Sequence, residues 1–453
     1  MSSKFSFARV VAVALVAIGS VASLGVDAFA APRTWTNGSA PAVGGGPTNR
    51  GKWGTAVQFA TNWNSTSNPR TVPGTGDTAV FNTATNNSSN IALQSNQSIR
   101  DLQFLSTASQ FTFAKDSAFT DPLGGLTLVG TGTTIDNQST VGVQNFDLNV
   151  NVSNTAQTFF AAQGASTKIT QVNVNGNALT SKGNTEISVL NSTGTTGSYT
   201  IDGGVAKFTL GNSGGTAQDH LSFVRVLNGS ASSTGAGTRT DLIVDGGTYN
   251  GGGTFKSSAQ TGGVQDLSGL NATPQLNVET YSQTGGTVKM NIGYSPFVDA
   301  DNPAFTVNSN VSDTNGFSLG GDAILYGDRL GGLGYNIGTQ LFGLGTTWSL
   351  FSGGVNVDGS GNPSPVNAAS NFSTFVLDTV NSPYGGTFTK FGQEFIGPTA
   401  SDGTYMVFQA ATGNLVVVPE PSTMVFAGLG VAMSGWTMWK KRRLSKLLAA
   451  KAS

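Results

Sequence analysis

The sequence predicts an all-β protein. Its body reads as a right-handed parallel β-helix with an antiparallel β-rich part toward the C-terminus, flanked by an N-terminal signal peptide and a C-terminal transmembrane helix. Three observations lead there. Only 10% of the 453 residues are charged and 62 are Gly, while the remainder leans on Asn, Thr, Ser, Val and Phe. That mixture starves helices and suits short strands joined by tight turns. Apolar and polar residues alternate with a period of two in several stretches, and glycine pairs recur after strands about 40 residues apart, a spacing typical of repeat architectures.

The first element is MSSKFSFARVVAVALVAIGSVASLGVDAFAAPRT, which has basic Lys4 and Arg9, an apolar run from Val10, and small residues at Ala28 and Ala30. These are the parts of a secretory signal, with cleavage expected after Ala30. Gly19, Ser20, Ser23, Gly25 and Asp27 dilute the run and favour cleavage over a retained anchor. The divisions expected are a signal peptide over 1–30, a β-solenoid body over 31–318, a C-terminal β-rich module over 319–416 and a terminal segment over 417–453.

Within the body, FDLNVNV puts Phe146, Leu148, Val150 and Val152 on one face and Asp147, Asn149 and Asn151 on the other. Val172 and Val174 alternate with Asn173 and Asn175, and Phe111 and Phe113 share a face. Outward Asn, Ser and Thr can form hydrogen-bonded ladders between neighbouring rungs. The glycine pairs begin at Gly203, Gly246 and Gly285, and each unit fits either a hairpin or the corner of a coil. A parallel coil accommodates the length more easily than the alternative, an antiparallel sandwich with lectin-like topology.

Charge and chemistry narrow the function. Between Ala31 and Val418 there are 15 basic residues against 22 acidic ones, so the body is mildly acidic and nucleic acid is not expected as a partner. There is no cysteine, which removes disulfides and thiolate metal sites. The single histidine, His220, follows Asp219 and precedes Ser222 by two, but neighbours on a strand point to opposite faces, so no triad is formed. Asp299 and Asp301 are the closest approach to a calcium loop, yet Pro303 and Ala304 stand where further ligands and a glycine belong. Asp202, Asp245 and Asp358 read as turn residues, and Trp35, Trp53 and Trp63 as caps of the core. The Asn-x-Ser/Thr sequences at Asn64 and Asn191 arise by chance in a chain this rich in those residues. No metal and no cofactor are implied.

The C-terminus is the most informative part. Thr423 to Trp439 is an uncharged apolar run of roughly 17 residues, about 26 Å as a helix, with Trp436 and Trp439 suited to an interface. Lys440, Lys441, Arg442 and Arg443 follow and belong on the cytoplasmic side. Ahead of the run, Pro419 and Pro421 flank Glu420 and keep the helix from extending backward, so extended, unpaired backbone is expected there. Val418, Pro419, Glu420, Pro421 and Ser422, then an apolar helix, then a basic cluster, resemble the PEP-CTERM sorting signal of Gram-negative bacteria. The resemblance covers about 36 residues. It implies an exosortase, an integral-membrane cysteine transpeptidase-like enzyme, as processing partner. It also implies export across the inner membrane, a transient anchor there, and final placement at the cell surface or in the extracellular matrix.

Two further likenesses are looser. ATNWNSTSNPRTVPGTGDTAVFN, with Trp35 and Trp53 before it and SIRDLQF after it, resembles the opening of secreted β-helix proteins akin to autotransporter-associated β-strand repeats. The stretch from Leu319 through VFQAATGNLVVVPEPS resembles the segment that precedes such sorting tails. The expectation is therefore an exported, noncatalytic structural or adhesive protein that touches extracellular polysaccharide or copies of itself. The alternative is a secreted polysaccharide lyase or hydrolase on the same scaffold, in which Asp202, Lys207, Arg225 and Asp245 would converge in one groove.

Overall fold

The computed structural model describes residues 33–35, 51–53, 63–64, 73–82, 90–93, 95–115, 121 and 124–420. Within the last range it leaves out 154–155, 194–196, 212–220, 235, 270–274, 296–304, 315–316, 328–334, 354–370 and 380. Every helix or strand among the described residues is a strand, as the composition predicts. The strands form one 32-stranded sheet, in which the pairings are predominantly parallel, and a separate five-stranded sheet.

The large sheet consists of three parallel ladders. The first runs from Thr78–Phe81 through Asp101–Phe104, Gly132–Asn137, Gln157–Ala161 and Ala178–Lys182 to the first half of Ser198–Leu210. It continues through Phe223–Thr234, Ala236–Val244, Gly253–Gln260 and Thr280–Gln283. The second passes from Asn90–Leu93 and Thr112–Lys115 through the first halves of Val143–Val152 and Ser166–Asn173 to Asn184–Asn191. It ends in Thr287–Ser295, Asp322–Tyr326 and Thr374–Leu377. The third includes Gln97–Ile99, Gly125–Leu128 and the second half of Val143–Val152, and further along Gln275–Val278, Asn310–Asp313 and Phe351–Gly353. Between Asp101 and Asn137 the chain visits the three in turn, then returns to the first one rung further on.

Inward positions repeat from rung to rung because the pairing is in register. Phe81 faces Phe104 and Phe113 faces Phe146, so their rings stack at 5.0 Å and 4.7 Å, close to the spacing of adjacent strands. Phe111, Phe113, Phe146, Leu148, Val150, Val152, Val172 and Val174 are all buried, as their alternation predicts. Asn149 departs from the pattern, being buried too. Its strand shifts register between Phe146 and Asn149 as it bends from the second ladder to the third, which breaks the strict period of two. Tyr199, Tyr249 and Tyr281 are fully buried, and burial pushes their phenols well above the ordinary range.

The glycine pairs are corners, not hairpins: the strands before and after Gly246 and Gly247 pair with different ladders. Corners stack directly on one another. A Cβ on Gly263 would stand 2.2 Å from the carbonyl oxygen of Gly247, and one on Gly286 2.4 Å from that of Gly262. Gly229 and Gly263 occupy rungs between the pairs recognised in the sequence, so the spacing of about 40 residues spans two rungs. Two corners share the sequence Gln-Thr-Gly-Gly. The Gln260 amide donates to the carbonyls of Gly263 (3.3 Å) and Thr287 (3.0 Å), and that of Gln283 to those of Gly286 (3.3 Å) and Asp322 (3.2 Å). A buried side-chain amide thus gives the corner carbonyls of Gly263 and Gly286 a second donor, beside the Thr287 and Asp322 N–H groups that reach them at 2.9 Å and 2.8 Å.

Toward the C-terminus an antiparallel sheet forms, in the order Thr347–Ser349, Asn414–Pro419, Thr404–Gln409, Glu394–Thr399, Thr389–Phe391. It covers the last parallel rung. Phe408 stacks on Phe375 at 4.6 Å and lies 5.6 Å from Phe372, and the Trp348 indole donates to the Gly293 carbonyl at 2.7 Å. The sheet acts as a cap that keeps the apolar end of the stack from water.

Candidate functional site

Three residues of the expected processing motif lie in the described structure, and all three are held by the cap. Val418 faces Tyr405 and Pro419 faces Thr404 in antiparallel pairing, and the Glu420 N–H donates to the Gly403 carbonyl at 2.8 Å. The backbone is extended, as expected, but paired rather than free as far as Glu420. The partner strand lies ten or more residues upstream and left no mark on the motif itself. Proline is tolerated at Pro419 because the strand ends there and one missing N–H costs no interior ladder bond. Asp402 braces the opposing turn, its carboxylate accepting from the Thr404 N–H at 3.0 Å and hydroxyl at 2.6 Å.

Pro421, Ser422, the run Thr423 to Trp439, the basic Lys440, Lys441, Arg442 and Arg443, and the cleavage residues Ala28 and Ala30 lie outside the described residues. Among the described residues no helix is long and apolar enough to cross a membrane.

The candidate enzymatic residues divide into separate pairs. Lys182 sits 3.1 Å from Asp202, whose other oxygen accepts from the Asn228 amide at 2.7 Å. The Asn228 hydrogen bond first, then Lys182, holds the Asp202 carboxyl below the usual carboxylate range. Arg225 meets Asp245 at 2.5 Å, and Asp245 also accepts from the Thr261 hydroxyl at 2.6 Å. Lys207 lies past the Gly203–Gly204 corner on the second ladder, where its register partner is Glu186, itself 3.1 Å from Lys168. Each acid therefore bridges neighbouring rungs, and no hydrogen bond or ion pair joins the two acids' clusters among the described residues. Asp245 lies at a bend as the sequence predicts, whereas Asp202 falls within the continuous strand Ser198–Leu210 at a shift of register; their ion pairs were not legible because the partners stand one rung away.

Polar residues along the faces bond both to main chain and to side chains one rung away. Asn151, Asn173 and Asn191 stand in register. Yet Asn173 accepts from the N–H groups of Asn175 and Thr193, and the Asn175 and Asn177 amides donate to the Val152 carbonyl. Side-chain bonds between rungs also occur, as expected: the Thr193 hydroxyl donates to Asn175 at 2.7 Å, the Asn250 amide to Ser230 at 2.6 Å and the Ser352 hydroxyl to Asn310 at 3.0 Å.

Trp53 is buried, with its ring 6.4 Å from Phe81 and 6.1 Å from Phe113, in the capping role expected of it. Trp35 and Trp63 face each other in antiparallel strands. His220, Asp219, Asp299, Asp301 and Asp358 lie outside the described residues, and no cluster of three metal-ligating side chains occurs among those described. A surface depression between Ala92, Thr112, Ala114 and Asp147 carries one carboxylate. The corner glutamines were missed by sequence reading, although Gln-Thr-Gly-Gly written twice was the signal for them. No protein-family model, curated protein or solved structure matches this chain, so its function is read from its own residues.

Proposed function

We propose that the chain is an exported, noncatalytic protein of the cell surface or extracellular matrix, wound as a right-handed parallel β-helix and sorted through a PEP-CTERM-like tail. The observation that carries this reading is the order of parts at the C-terminus. A paired strand reaches Glu420, Pro421 and Ser422 follow, then the uncharged Thr423 to Trp439, then Lys440 to Arg443. An exosortase is the processing partner, and the inner membrane holds the protein only until the tail is removed.

Support for the β-helix comes from the three parallel ladders, the return of the chain to the first after each circuit, and the stacked glycine corners. Right-handedness follows from the strong preference of parallel crossover connections. A structural or adhesive role suits an exterior on which Thr158, Thr180 and Thr200 fall in one column and acids are neutralised by neighbours. Such a surface offers many weak hydrogen bonds, suited to polysaccharide or to copies of the chain.

The test is intact-mass measurement on protein recovered from inner-membrane, outer-membrane and extracellular fractions of a Gram-negative bacterium that makes it. A product beginning at Ala31, ending near Glu420 and recovered outside the inner membrane is expected. Recovery only of a species that keeps Trp436 and the basic residues in the inner membrane would overturn the sorting step.

A further inference from the structure

Two exposed leucines stand at the end of the cap from which the chain departs. Leu344 is 63% exposed and Leu341 is 40% exposed. Backbone bonds fix their place: the Gly345 N–H donates to the Val417 carbonyl at 2.9 Å, and the Val417 N–H donates to the Thr346 carbonyl at 2.9 Å. On the other side of the loop, the Phe342 N–H donates to the Tyr384 hydroxyl at 3.2 Å, which bonds the Thr404 hydroxyl at 2.9 Å, and Thr404 faces Pro419. The loop is also uncharged, since no charged residue occurs between Arg329 and Asp358.

Scattered exposed leucines are ordinary on protein surfaces, and exposure alone names no partner. Chain length supplies one. Glu420 is still bound to Gly403, and Thr423 opens the apolar run, so Pro421 and Ser422 are the entire spacer. Three residue steps reach at most about 11 Å. The polar layer on each side of a bilayer is on the order of 5–8 Å thick, so side chains at this end of the sheet come within reach of the headgroups.

Resting on the reading of Thr423 to Trp439 as a membrane segment, we propose that Leu341 and Leu344 insert into the bilayer surface and seat the cap end-on against it while the tail is attached. Apolar side chains lodged at the headgroup boundary gain from leaving water, and an uncharged loop has no ion to desolvate there. Paired backbone up to Glu420 then holds the exit point at a fixed height, and loss of the tail leaves two leucines too few to retain the protein. Phe391, 73% exposed, marks the opposite end: it faces Glu394, which faces Gln409, which faces Asn414 at the start of the exit strand.

The native chain has no cysteine, so single variants of the full-length protein, Leu344→Cys, Leu341→Cys, Phe391→Cys and Ser434→Cys, each take one environment-sensitive fluorophore. They are reconstituted in phosphatidylethanolamine and phosphatidylglycerol vesicles carrying quenchers at the headgroup or in the acyl chains. Expected are loss of most emission at 344 and 341 with the headgroup quencher, loss at 434 with the acyl-chain quencher, and no loss at 391. Quenching at 434 without quenching at 344 and 341 overturns the proposal and leaves the membrane reading standing. A blue shift at 344 that neither quencher touches also overturns it, because the tail or a second copy then covers the leucines. No quenching at 434 removes the membrane reading and the proposal with it.

Discussion

The parallel stack and the antiparallel cap are built from the same residue types yet solve strand pairing in different ways. In the stack, a strand's partner lies a full circuit away, as when Ile201 faces Val226, and the corners between strands are closed by stacked glycines and buried glutamine amides. In the cap, neighbours in sequence pair directly: Thr404–Gln409 and Asn414–Pro419 are joined by a turn in which the Gly413 N–H donates to Gln409 at 2.9 Å. The stack thus depends on each rung finding the next, whereas the cap closes four of its five strands locally and takes Thr347–Ser349 from far upstream. Its value to the stack is that it ends it.

The largest effect is expected where the two meet. Phe408→Ala removes a ring stacked on Phe375 and close to Phe372, and about 3–5 kcal/mol of stability should be lost. Hydrogen exchange should report the loss first in Glu394–Pro419, with the second ladder still protected around Asn184–Asn191. Simultaneous loss in both would mean that cap and stack unfold as one unit and would erase the distinction between them.

A smaller contrast sets one glycine of the stack against one of the cap. Gly263 has φ +62° and its added Cβ would meet backbone at 2.2 Å, while Gly392 in the cap hairpin has φ +64° and open space around the same position. Gly263→Ala should therefore cost about 2–4 kcal/mol and Gly392→Ala only the left-handed backbone term of about 1–2 kcal/mol. Denaturant unfolding of the two variants measures the difference, and equal costs would show that close rung stacking contributes little.

The smallest effect concerns the ion pairs that link rungs. The Asp202 carboxyl is held below its ordinary value of 3.8, so its contribution is complete above that pH and is lost as pH falls through the lower folded value. The pair is partly exposed, and Lys182→Ala should cost under about 1 kcal/mol at neutral pH and narrow the acid-side loss. Unfolding curves of the variant and the parent from neutral pH to below 3.8 test this; curves that diverge as pH falls would contradict it.

Much of the stack was legible because its rules are local. Alternation placed Phe146, Val150 and Val172 inside, and paired glycines marked reversals that fitted either hairpins or corners. The rung period was not legible, since loops of uneven length hid the intermediate corners at Gly229 and Gly263 and the sequence repeat covered two rungs. Asn149 was misplaced because a strand bending between ladders abandons the period of two. At the candidate site, composition and order pointed to a proposed processing motif but not to its pairing: the groups that hold Pro419 and Glu420 belong to Thr404 and Gly403, and antiparallel partners leave no periodic trace. Leu341 and Leu344 were invisible for a related reason, since exposure is a property of the folded surface.

By itself the sequence determined that the chain is built of strands, which side chains line them, and in what order its terminal segments stand. These follow from residue type and spacing along one chain, through propensity, alternation and the run of uncharged residues. Tertiary structure alone decided which strands meet, that acids at the corners are neutralised from the next rung, and that the motif's first half is locked into a sheet. Pairing between distant strands is chosen by backbone hydrogen bonds, which carry no record of residue identity.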